Sequence, residues 1–243
     1  MTRAIAILGG AGGIGRAVVS ALKAAGDHVV VLDLPASLER HALGVPTIGI
    51  DVLSEQAIDA AVAELGKLCP KLDGFVNLAG YNARIQPLSE TTTDYFDDVI
   101  SGNLRGAFLS TRAVLPLMAE GGSIVMVASG LARFIRPGYG SYAMAKAGVI
   151  ALANTLALEC APRLRVNTVA PGLVDTAFLR GGTGRSDEKG EAVVSFAPYL
   201  NAIPLKRLAV AEDIVGPIRF LLGPDSAYMT GQVLWINGGA YMP

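Results

Sequence analysis

Seven short apolar runs, each bounded by glycine, proline or other turn residues, alternate along this chain with stretches of helical periodicity, and that alternation limits the fold more than any other feature. The runs are Ala4 to Leu8, His28 to Leu32, Thr47 to Ile50, Gly74 to Asn77, Ser123 to Ala128, Arg165 to Ala170 and Val233 to Ile236. Helical patterns occupy the intervals at Gly13 to Ala25, Ser54 to Leu68, Asp94 to Met118, Ser141 to Ala161 and Ala211 to Leu222. A strand that reaches its neighbour through a helix pairs with it in parallel, and a parallel sheet needs helices on both faces. The expectation is an α/β chain: one doubly wound domain over residues 1–243 with a seven-stranded parallel sheet.

Composition agrees, because 51% hydrophobic against 17% charged residues in a chain of 243 suits one large core. No repeat or linker divides it. The irregular stretch is 176–200, where Gly181-Gly182-Thr183-Gly184 and several charges follow a strand, and a mobile substrate loop is expected there. A formal net charge of −1 gives no basic field for nucleic acid and no polybasic anchor for a membrane. Met1-Thr2-Arg3 leads straight into an apolar strand rather than a layered secretory signal. The longest uncharged run, the 18 residues Ser226 to Pro243, is broken by Gly231, Gln232, Asn237, Gly238 and Gly239, which argues against a membrane span. Cys69 and Cys160 lack any metal-ligand or redox spacing, so a cytoplasmic protein with two free thiols is expected.

Between the first strand and the first helix lies Gly9-Gly10-Ala11-Gly12-Gly13-Ile14-Gly15. Glycines there let backbone amides approach a pyrophosphate at a helix N-terminus, although a tight structural turn would favour the same residues. Asp33 adds context. It stands 18 residues beyond Gly15, at the end of the second strand, where a carboxylate accepts hydrogen bonds from an adenosine ribose and repels a 2′-phosphate. Neither Gly12, Leu34 nor Pro35 supplies a cation for such a phosphate, so NAD is preferred over NADP. Asp51 and Val52 close the third strand, where the carboxylate either meets the adenine amine or caps the helix beginning near Ser54.

Tyr142 and Lys146 are four residues apart on a helical pattern and share one face. A free phenol titrates near ~10, and an ammonium within ~4–6 Å favours phenolate, so the pair can act as a proton donor and acceptor in a desolvated cleft. Tyr-x-x-x-Lys is also ordinary helix surface. Ser129 follows the fifth strand at the C-terminal edge of the sheet, where it orients a substrate oxygen or serves as a plain turn residue.

Taken together, these motifs resemble the classical short-chain dehydrogenase/reductase family from Arg3 to Ile236. Gly9, Gly13 and Gly15 match its glycine loop, with Leu8 where threonine is usual. Asn77-Leu78-Ala79-Gly80 is similar to its Asn-Asn-Ala-Gly segment, and Ser129 precedes Tyr142 by the family's 13 residues. The resemblance implies a Rossmann-type NAD-binding domain and a catalytic set of Asn103, Ser129, Tyr142 and Lys146, in which Asn103 holds a water that links Lys146 to solvent. It also implies that Lys146 holds the nicotinamide ribose, while Pro171, Gly172, Val174 and Thr176 meet the nicotinamide carboxamide and pyrophosphate. A homotetramer is implied too, built from long helices and the apolar segment around Trp235, Ile236 and Tyr241.

The activity so implied is hydride transfer between NAD(H) and a small-molecule secondary alcohol or ketone, partly apolar or of hydroxyacyl type. Tyr81, Leu131, Phe134, Tyr139, Phe178, Leu179, Phe196 and Tyr199 are expected to frame the substrate cleft, unless core packing claims them. Arg84, Arg133, Arg136, Arg180 and Arg185 are candidates for an anionic group, or simply solvated. Two rival readings are an NAD-dependent epimerase or dehydratase, and a regulator that binds NAD without turnover.

Overall fold

A computed structural model describes residues 2–180, 184 and 197–242. Its sheet contains seven strands: β1 (Ala4–Leu8), β2 (His28–Asp33), β3 (Thr47–Gly49), β4 (Leu72–Asn77), β5 (Met118–Val127), β6 (Arg165–Pro171) and β7 (Val233–Ile236). They run in the order β3-β2-β1-β4-β5-β6-β7, and every neighbouring pair is parallel. Eight α-helices are present among the described residues: α1 (Gly13–Ala24), α2 (Pro35–Arg40), α3 (Glu55–Leu68), α4 (Thr93–Ile100), α5 (Gly106–Val114), α6 (Gly140–Glu159), α7 (Ala197–Ala202) and α8 (Glu212–Leu222). The sheet and its order match the expected doubly wound fold.

Period-two geometry sends consecutive strand residues to opposite faces, and here both faces are dry. Ala6 and Leu8 of β1 join a layer with Ile58 and Leu65 of α3, Val114 of α5, and Val149 and Ala153 of α6. Ile5 and Ile7 point the other way, onto Val18, Val19 and Leu22 of α1 and Ile214, Ile218 and Leu221 of α8. This is why the strands read as continuous apolar runs rather than alternating ones.

The strand order reverses between β1 and β4, where Leu8 pairs in register with Asn77. The loops leaving these two strands therefore diverge to opposite faces and open a crevice at the C-terminal edge of the sheet. Helix α6 is the one described helix long and apolar enough to cross a membrane. It is instead a core helix of this domain, for Ala145, Val149 and Ala153 are buried along it.

The long helix expected over Asp94 to Met118 is interrupted. A π-helical turn, Ser101–Arg105, joins α4 to α5, and a 3-10 turn, Leu115–Leu117, leads into β5. Short α2 was not foreseen. Of the loop expected over 176–200, residues 181–183 and 185–196 lie outside the described residues, whereas Ala177–Arg180 form a 3-10 turn and α7 covers Ala197–Ala202.

Candidate active site

A cavity of about 310 Å³ opens at the crevice. Helix α1 starts on its wall: Gly12, Gly13, Ile14 and Gly15 all line it, and the helix N-cap, Gly12, supplies no side-chain hydrogen bond. The first amides of the helix are thus left for another acceptor. A side chain at Gly15 is impossible without moving the loop, since its Cβ would come within 2.3 Å of the Gly9 carbonyl oxygen. That contact lets helix and loop close tightly on each other beneath the wall.

Asp33, Asp51 and Val52 line the same end of the cavity. The Asp33 carboxylate accepts hydrogen bonds from the amides of Ala11 (2.8 Å) and Leu34 (2.8 Å). Burial raises its affinity for a proton, and the two amide bonds oppose that rise. Asp33 lines the cavity and can accept further hydrogen bonds there. Asp51 accepts from the Leu53 amide at 3.0 Å, while Ser54 caps α3 through Ala57. The capping role left open for Asp51 therefore belongs to Ser54.

At the other end stand Ser129, Tyr142 and Lys146, all on the cavity wall. Ser129 follows β5 and takes the Leu131 amide on its Oγ at 3.2 Å, and its hydroxyl lies close enough to Tyr142 to influence the phenol. Lys146 sits one helical turn beyond Tyr142, with Nζ 5.6 Å from the tyrosine ring centre and donating to the Val127 carbonyl at 3.1 Å. Both side chains are buried.

Their acidities do not follow the sequence expectation. Burial pushes the Tyr142 phenol well above its usual range, with the Ser129 hydrogen bond as the opposing influence. Burial also brings the Lys146 ammonium down to about 8, so this amine stays mainly protonated at neutrality and loses its charge just above it. Within this chain alone desolvation outweighs the lysine, and a phenol that ionises here needs a further positive charge beside it.

Ala79 and Gly80 form the floor between the two ends. Gly80 has φ +152, and a Cβ on it would lie 2.4 Å from Asn103 Oδ1 and 2.9 Å from Lys146 Nζ. Glycine is what allows the amine to approach the loop. Pro171, Gly172, Val174 and Thr176 complete the wall after β6, and Thr176 lies directly against Gly13.

Two expected residues do not reach the cavity wall. Asn77 is buried beneath the floor, accepting from the Ala79 amide at 3.2 Å and donating to Ser110 Oγ at 3.3 Å. Asn103 is fully buried in the π-helical turn, where it accepts from the Tyr81 amide (3.1 Å) and donates to the carbonyls of Tyr81 (2.8 Å) and Val99 (2.9 Å). Both asparagines hold the loop after β4 in place from below.

Of the residues expected to frame a substrate, Tyr81, Leu131, Phe134, Tyr139, Phe178, Leu179 and Tyr199 all line the cavity, and Phe196 lies outside the described residues. Sequence reasoning missed Leu173, Ile203 and Asn237, which join them. Tyr241 was assigned to subunit contacts, yet its ring lines the cavity and stacks on Phe134 with centres 3.9 Å apart. No local motif signals that a residue so near the end of the chain returns to the crevice.

The arrangement fits an extended dinucleotide, with amides at the helix start, a carboxylate at the end of β2 and an apolar chamber beyond the tyrosine. Comparison with known proteins points the same way. A family model described as enoyl-(acyl carrier protein) reductase matches residues 9–241. The 3-oxoacyl-[acyl-carrier-protein] reductase of Thermotoga maritima is 35% identical over 96% of this chain and 95% of its own. An uncharacterized short-chain type dehydrogenase/reductase of Sinorhizobium fredii is 35% identical over 98% of this chain, which spans 43% of that longer protein. A crystal structure of a short-chain dehydrogenase/reductase, glucose/ribitol dehydrogenase, from Brucella melitensis superimposes with a TM-score of 0.86, at 28% identity, covering 99% of this chain and 97% of that one.

Proposed function

Since this chain belongs to the short-chain dehydrogenase/reductase family of oxidoreductases, we propose that it interconverts a secondary alcohol and a ketone with NAD(H), with the Tyr142 phenol moving the proton. The observation that carries this reading is the meeting of Ser129, Tyr142 and Lys146 on the wall of the cavity that begins at the uncapped start of α1. When bound, the nicotinamide supplies the hydride donor or acceptor.

The chain's own groups then have separable tasks. Gly12 to Gly15 present backbone amides to the pyrophosphate, and Asp33 receives the adenosine ribose hydroxyls. Preference for NAD over NADP rests on that carboxylate, with no cation among the described lining residues at that end. Ser129 holds the substrate oxygen beside the phenol. In ketone reduction Tyr142 gives its proton to that oxygen, a role suited to a phenol that burial keeps protonated. In alcohol oxidation the phenol must first lose its proton, and Lys146 and an oxidised pyridinium both favour that form. Apolar lining from Leu131, Phe134, Phe178 and Tyr241 lies beside this proton path.

The Thermotoga relative is named for reduction of a 3-oxoacyl group, which supports a ketone as the electrophile. A cytoplasmic homotetramer completes the reading. Following absorbance at the NADH maximum while a panel of ketones and secondary alcohols is offered with NAD(H) and then NADP(H) tests it. Turnover with NAD(H) at least tenfold more efficient than with NADP(H) is expected, from a charge-assisted hydrogen bond of roughly 1.5–3 kcal/mol. Equal use of both, or a preference for the phosphorylated cofactor, would remove the role given to Asp33.

A further inference from the structure

Four charged side chains line the cavity among the described residues, and they are segregated. Asp33 and Asp51 lie at the β2 and β3 end, and Lys146 is at the centre. Arg136 is alone at the far end, in the connection between Ser129 and Tyr142. Its guanidinium sits 4.9 Å from the centre of the Tyr199 ring, and no carboxylate among the described residues pairs with it. The other candidate arginines are differently placed. Arg84 lies over Tyr95, Arg180 pairs with Asp175 at 2.6 Å, Arg133 does not line the cavity, and Arg185 falls outside the described residues.

Beside Arg136 are two phenols that also line the cavity, Tyr139 and Tyr199. Burial and the neighbouring Tyr199 hydroxyl push the Tyr139 phenol up to about 12, so it stays a neutral donor at any physiological pH. Tyr139 is three residues before Tyr142, at the start of α6, and the two phenols are close enough for one to disfavour ionisation of the other. An arginine with no carboxylate partner among the described residues, beside the paired Tyr139 and Tyr199 hydroxyls and next to an apolar chamber, has the chemistry for a single negative charge. Stacking on Tyr199 restricts the guanidinium and lowers the entropy lost on binding.

We propose that Arg136, Tyr139 and Tyr199 form an anion subsite at the substrate end of the cavity, so that the ketone or alcohol turned over carries a carboxylate. The proposal rests on the hydride-transfer reading of the same cavity and adds the substrate's charge to it. The apolar wall near Phe134 and Phe178 holds the carbon skeleton between that carboxylate and the reacting oxygen.

Two probes test it: 3-benzoylpropanoate, a ketone with one carboxylate, and its methyl ester. Each is titrated into the protein by calorimetry and then offered with NADH. The acid binds about tenfold more tightly than the ester, and the preference shrinks as NaCl is raised from about 0.02 to about 0.5 M. Arg136→Gln brings the acid-to-ester ratio to about one, and Arg136→Lys, which keeps the charge but loses the planar fork, retains part of it. Equal affinity for the two probes, no measurable binding of the acid, or an acid preference that survives Arg136→Gln overturns the subsite. Acid binding that depends on Arg136 in a protein that transfers no hydride to or from any member of the ketone and alcohol panel supports the subsite while removing the hydride-transfer reading.

Discussion

Lys146 concentrates the electrostatics of the site in one side chain. It is 4% exposed, its amine is held by the Val127 carbonyl, and burial lowers its proton affinity to about 8. In the unfolded chain it titrates near ~10.4, so between these values the unfolded state binds more protons than the folded one and stability rises with pH. Below about pH 8 the full cost of burying the charge is present, and above roughly 10.4 it has vanished. From pH ~7.5 to ~9.5 wild type should gain about 2 kcal/mol relative to Lys146→Met, measured as the difference in urea unfolding free energy between the two proteins. A difference that stays flat across this window would show that the amine is not buried as described. The residue types and their order were legible in the sequence: Ser129, Tyr142 and Lys146 do meet, and Asp33 does end β2 on the cavity wall. The direction of the phenol's shift was not, because desolvation depends on how many neighbours close over a group, and spacing along a helix carries no such information.

Elements explain why the site keeps its shape. All seven strands were readable from apolar runs, and their edges shifted by few residues except in β4 and β5, where Leu72 and Met118 extend the pairing backward. The π-helical turn between α4 and α5 was hidden, since Asp94 to Met118 keeps a helical pattern throughout and the extra backbone loop is fixed by tertiary contacts of Asn103. That turn aims a buried amide at Tyr81, satisfying both its N–H and its carbonyl. Asn103→Ala removes the hydrogen bonds that its side chain makes to these two buried backbone groups, at a cost of about 2–5 kcal/mol. Equilibrium denaturation should show this loss, and kcat should fall with it as the loop bearing Gly80 relaxes away from Lys146. A variant as stable as wild type would mean that the turn does not brace the floor.

The whole molecule is a sheet that divides one cavity between two jobs. In the proposed reading, loops after β1, β2 and β3 build the dinucleotide end and those after β5 and β6 the chemical end, so binding of an extended cofactor would tie together segments far apart in sequence. Such a ligand stabilises the fold by mass action, by about 2.7 kcal/mol at a hundred times its Kd, and for a domain of this size each kcal/mol moves Tm by ~2–4 °C. NADH at that excess should therefore raise Tm by about 5–10 °C in a thermal melt. NADPH at the same concentration should give about half that shift or less, and equal shifts would contradict the charge-based selection proposed at Asp33.

At the centre of the account is proton transfer by one phenol at the moment hydride crosses. Stopped-flow measurement of a single turnover, NADH against saturating ketone, isolates that step from product release. Tyr142→Phe keeps the ring and its packing but removes the proton, so the rate should fall by about 10²–10⁴-fold while NADH still binds within a few fold of wild type. A variant that transfers hydride at nearly the wild-type rate would contradict the assignment and place the proton donor elsewhere in the cavity.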